Sequence, residues 1–181
     1  MSQRLAGIWF RKRVHEAEEA ARLGKRTAAI DLLWDLVEQC HRESRSALSQ
    51  WHEIQALWLL GVELEALGRD KEAAYVYGRI LRMRRAALAE ASEGVASSVA
   101  AAAVCELRAG NRTRGLRLGV EALRLHDAHP MSAADKQVLE GMIEKARQRS
   151  KRKGQRLNEA PSNNEMQLTR SAPPRNRGPR S

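Results

Sequence analysis

Leu67-Gly68-Arg69-Asp70 separates two amphipathic stretches of this chain, and the same short pattern stands at Leu23-Gly24-Lys25-Arg26 and at Ala109-Gly110-Asn111-Arg112. Glycine suits the left-handed position that ends a helix, because there a Cβ crowds the carbonyl that follows. The three glycines stand 44 and then 42 residues apart. Counting six, eight, twelve and thirteen residues on from each gives Ile30, Leu32, Leu36 and Val37, then Ala74, Val76, Ile80 and Leu81, then Leu116, Leu118, Ala122 and Leu123, all apolar. Seven residues before each glycine stand Ala17, Gly61 and Ala103, small enough for two helices to cross at close range. A turn, a close-contact position and an apolar set recurring together mark an array of helical repeats.

Working outward, apolar residues recur at spacings of three and four, and no segment alternates as a strand would. The pattern predicts seven helices, over 4–22, 26–42, 47–66, 70–91, 95–109, 112–126 and 132–152. Short connections reverse the chain, so neighbouring helices form antiparallel hairpins over 4–42, 47–91 and 95–126, with 132–152 as a final helix. Composition agrees with an all-α fold. Of 181 residues only 4% are aromatic and five are proline, which leaves Ala, Leu and Val to supply most of the apolar content. The net charge is +10, and residues 151–181 carry eight basic side chains against Glu159 and Glu165. Pro130 is the only proline before that region and four lie within it. The expectation is a helical repeat domain over 1–152 and a disordered, basic, proline-containing tail over 153–181.

The longest uncharged stretch, Val95 to Cys105, falls short of the roughly 20 residues that cross a bilayer. The apolar patch Leu5–Phe10 runs into Arg11, Lys12 and Arg13 without a cleavage site, so a cytoplasmic protein with no transmembrane segment is expected. Cys40 and Cys105 stand alone, without a CxxC motif or clustered histidines, and read as small buried apolar residues.

Leu57-x-x-Leu60-Gly61-x-x-Leu64-x-x-x-Gly68-x-x-x-x-Ala73-x-x-x-Tyr77-x-x-Ile80-Leu81 resembles a tetratricopeptide repeat, and Gly24-x-x-x-x-Ala29-Ile30-x-x-Leu33 resembles the second half of another. The third copy departs from the pattern, with Gly115 and Gly119 where Ala and a bulky residue belong, and the period is longer than the usual 34 residues. HEAT-like and other helical-hairpin arrays fit the same spacing. The resemblance implies a right-handed superhelical stack of three hairpins, a solenoid closed by the last helix as a cap. It also implies a concave groove lined by the first helix of each hairpin. That places Arg11, Val14, Glu18, Arg22, Gln55, Trp58, Val62, Glu65, Ala100, Val104 and Arg108 as partner-binding candidates.

Each tempting feature has a plainer meaning beside it. Trp58 suits a partner-binding groove, but with Trp34 and Trp51 it also reads as filling between hairpins. Arg79, Arg82, Arg84 and Arg85 could face an anionic partner or form a solvated helix face. The small residues of 95–109 suit self-association or, more commonly, a crowded interior helix. The final helix sets Ala134, Val138, Leu139, Met142 and Ile143 on one side, and the run from Lys145 through Lys151, Arg152 and Lys153 to Arg156 could neutralise phosphates. Positive charge at a helix C-terminus is also favourable in itself.

Catalytic motifs are wanting. Gly110-x-x-x-x-Gly115 leads into Leu116-Arg117 instead of Lys-Ser/Thr, and His126-x-x-His129 lacks the HExxH context. Cys40 and His41 are sequence neighbours and point apart on a helix. The sequence therefore leads to a non-enzymatic module that binds a protein or peptide partner, with no cofactor or metal; a nucleic-acid-associated protein acting through its basic C-terminal region is the alternative.

Overall fold

The computed structural model describes residues 3–43, 47–87, 92–130 and 133–159, and all of its regular structure is α-helical. The helices are α1 (Gln3–Arg22), α2 (Arg26–Arg42), α3 (Ala47–Ala66), α4 (Asp70–Ala87), α5 (Glu93–Arg108), α6 (Arg112–Leu125) and α7 (Ala133–Glu159). The all-α expectation holds, and most limits fall within two residues of those the periodicity predicts. The last residues expected in α4, 88–91, lie outside the described residues, as do 160–181 of the expected tail. α7 runs on to Glu159, so 153–159, assigned from sequence to the tail, are helical. No proline falls between Pro130 and Pro161, and basic residues favour the C-terminal end of a helix. The chain divides into two units, 1–146 and 147–181, and the division falls inside α7.

The three turn glycines have φ of 76° at Gly24, 69° at Gly68 and 86° at Gly110, and no other described residue has positive φ. The backbone of all three turns is wired alike. Lys25 N–H donates to Ala20 O, Arg69 N–H to Leu64 O and Asn111 N–H to Glu106 O, each at 2.9 Å. Each glycine N–H donates to the carbonyl three residues back, at 3.0, 2.9 and 3.3 Å. This is the Schellman arrangement, in which a left-handed residue lets the chain satisfy the last helical carbonyls.

Packing within the first unit is sequential. α1 packs on α2, α2 on α3, α3 on α4, α4 on α5 and α5 on α6, and α1 also touches α3. The predicted apolar positions form the core: nine of the twelve are buried, and Leu32, Leu116 and Leu123 are partly buried against it. Ala17, Gly61 and Ala103 are all buried, as close crossings require. At Gly61 the reason is visible, since a Cβ there would fall 2.7 Å from Cζ of Tyr77. In the third hairpin the irregular glycines have their own partners. Leu107 covers Gly115, and Ile143 of α7 lies against Gly119, where a Cβ would meet its Cδ1 at 2.7 Å. α7 thus fills the space over Gly119. Leu139 and Ile143 are buried, whereas Val138, expected on the same apolar side, is exposed. α5 is the crowded interior helix, with Ser98, Val99, Ala102 and Ala103 buried.

Candidate functional site

Four helix ends converge on an open cleft of about 880 Å³ within the first unit. α2 contributes His41, the first half of α3 contributes Gln50, Trp51, Glu53, Ile54 and Gln55, the last half of α4 contributes Arg79, Met83, Arg84, Ala86 and Ala87, and α5 begins at its edge with Gly94. Apolar side chains and cations therefore share one concavity, a composition suited to holding part of another molecule.

Glu53 is buried, its side chain 3% exposed, because it falls on the stripe of α3 that continues through Leu57, Leu60 and Leu64 into the core. A carboxylate there requires compensation, which Arg79 gives through a close ion pair, with His41 Nδ1 at 3.4 Å from the same oxygen. Arg84 is half-buried and held differently. Its Nη1 donates to Gly94 O and to the hydroxyls of Ser97 and Ser98 at 3.0 and 2.9 Å, while the guanidinium carbon lies 5.4 Å from the centroid of a Trp58 ring. Burial pulls the Arg84 pKa below the usual guanidinium value.

Trp58 meets Tyr77 edge-on, with ring centroids 5.3 Å apart at 68°. The Tyr77 hydroxyl donates to Glu65 at 2.7 Å, and Arg108 Nη1 donates to the other Glu65 oxygen at 3.1 Å. Burial, reinforced by the Glu65 carboxylate, raises the Tyr77 pKa, so the phenol stays protonated as a donor.

The structure joins some of the sequence-predicted groove residues and separates others. Trp58, Glu65 and Arg108 form one network through Tyr77. Gln55 lines the cleft. Val62 is 43% exposed, while Ala100 and Val104 pack partly buried against the core. On α1, Arg11 and Glu18 are exposed, Val14 lies against the core, and Arg22 is turned back to Glu19 of its own helix. The four arginines of α4 do not act as one face: Arg79 and Arg84 line the cleft, Arg82 is exposed, and Arg85 pairs with Glu121 of α6. Lys151 and Arg152 are exposed on the part of α7 that belongs to the second unit, and Lys153 and Arg156 lie on the same helix.

Three cleft residues escape a reading of the sequence. Trp51, expected as interior filling, is 52% exposed at the cleft. Met83 continues the apolar stripe of Val76 and Ile80, but it stands among arginines, and the sequence gives no sign that it lines a cleft. Glu53 does carry a signal, a charge on an otherwise apolar helical stripe, which marks a residue whose counter-ion the fold must bring to it.

Burial pushes the Cys40 thiol up to about 11 and the Cys105 thiol up to about 12, so neither forms much thiolate at neutral pH. Among the described residues no three His, Cys, Asp or Glu side chains are grouped to hold a metal ion, and no helix is long and apolar enough to cross a membrane. No protein-family model matches this chain, and no curated protein matches it.

Proposed function

We propose that this chain is a non-catalytic protein-interaction module, a tetratricopeptide-like stack of three hairpins capped by α7, which binds a peptide or helix of a partner protein. The observation that carries this reading is the cleft itself, a concavity of about 880 Å³ assembled from α2, α3, α4 and α5. The identical wiring of the three turns and the sequential packing support a repeat scaffold, whose stacked hairpins offer a preformed surface and leave most of the ordering cost to the partner. Within the groove that the resemblance implies, Gln55 and Val62 are the members open to a partner on α3, and Trp58 acts as the wall that orients Arg84.

The test is capture of partners by the tagged full-length chain from a lysate of its source, in nuclease-treated and untreated halves, alongside a Trp51→Ala/Met83→Asp variant of unchanged helicity. A protein that survives nuclease and is lost with the variant is the expected result. Recovery that vanishes with nuclease would move the function to the basic run of α7, and recovery indifferent to the variant would remove the cleft from it.

A further inference from the structure

We propose that the cleft receives an acidic peptide segment, with a partner carboxylate seated on Arg84 and a neighbouring apolar side chain against Trp51 and Met83; this rests on the binding role proposed above. Among the described residues, Arg26, Arg79, Arg85, Arg108 and Arg114 each reach from one helix to a carboxylate on another: Glu63, Glu53, Glu121, Glu65 and Glu106. Arg84 reaches across in the same way, from α4 to α5, yet among the described residues its acceptors there are a carbonyl and two hydroxyls. A guanidinium half withdrawn from water that meets dipoles but no carboxylate among the described residues is incompletely compensated by them.

The edge that is left has a definite geometry. All three of these acceptors lie on Nη1, so among the described residues none occupies the fork of Nε and Nη2, the pair of donors that a carboxylate takes in two parallel bonds. The guanidinium carbon stands over the Trp58 ring, 5.4 Å from its centroid, a cation–π contact that helps to hold the group in place. Glu53 does not oppose an incoming acid, because Arg79 already matches its charge and its side chain is almost wholly covered. The same coverage disfavours a basic peptide. The same cleft is lined by Ile54, Ala86 and Ala87, and Trp51 and Met83 offer a large amphipathic surface and an adaptable one. The ligand chemistry that satisfies both halves is an Asp or Glu next to a bulky apolar residue.

The full-length protein is applied to an immobilised array of short peptides with Asp or Glu placed beside Leu, Ile, Phe or Trp, together with the same peptides carrying Asn, Gln or Lys at the acidic position. Acidic members are expected to bind about tenfold more tightly than their amides, as one charge-assisted pair requires. Arg84→Gln removes that preference, and Arg117→Gln, on the exposed side of α6, leaves it intact. Should Arg84→Gln fail to fold by circular dichroism, the wild-type ratio of acid to amide and its decline with added salt decide the matter. Equal binding of acids and amides, or a preference for lysine, overturns the carboxylate assignment and leaves peptide binding standing. Binding to no member of the array overturns both.

Discussion

A methyl group at position 61 would fall inside the ring of Tyr77, 2.7 Å from one carbon and 2.8 Å from the next, and that ring is itself fixed by Trp58 and Glu65. Gly61→Ala is therefore expected to cost about 1–3 kcal/mol through overpacking, read as a lower urea midpoint. Gly141 provides the contrast. It lies in α7 with nothing within 4 Å of a Cβ, so Gly141→Ala is expected to stabilise by about 0.5–1 kcal/mol through helix propensity alone. The sequence showed that position 61 must be small but not what presses on it. Conversely, Trp51 looked interior because large aromatics usually are, and only the convergence of α3 with α4 places it at an open cleft.

At the scale of elements, the hairpins were legible because their signals are local. A glycine ends the helix, apolar residues recur at helical spacing, and the structure returns three turns with the same hydrogen bonds. Gly24→Ala, Gly68→Ala and Gly110→Ala should accordingly destabilise by similar amounts, about 1–2 kcal/mol each, since each forces a Cβ into the left-handed region. Unequal losses in thermal unfolding would show that the turns are not equivalent. The docking of α1 on α3 was not legible, because it joins residues far apart in sequence that carry no shared pattern. Phe10 lies face to face with His52, centroids 4.1 Å apart and planes 17° from parallel. Burial lowers the His52 pKa from its ordinary 6.5. Above pH 6.5 both folded and unfolded states are neutral at this residue; below it the unfolded chain takes up a proton that the buried ring resists, so stability falls as the pH drops. The melting temperature is expected to fall between pH 7.5 and pH 5, and His52→Phe to reduce that fall. An unchanged pH dependence in the variant would show that His52 does not carry it.

For the whole molecule, the sequence supported a helical array and a binding role but placed the partner surface along the first helices of all three hairpins. The structure gives those residues different surroundings. Glu65 and Arg108 are engaged with each other, whereas the concavity lies where α2 to α5 bring their ends together. Helix ends are set by turn geometry and ion pairing across some 26 residues of sequence, as in Arg79 with Glu53, and no periodicity encodes that. The cleft is therefore the claim on which the account depends. Hydrogen–deuterium exchange of the full-length protein, alone and with the partner it captures, tests it most directly. Slowed exchange is expected in the first half of α3 and the last half of α4, around residues 50–55 and 79–87, with α6 unchanged. Protection confined to α7 and the basic run from 145 to 156 would contradict it.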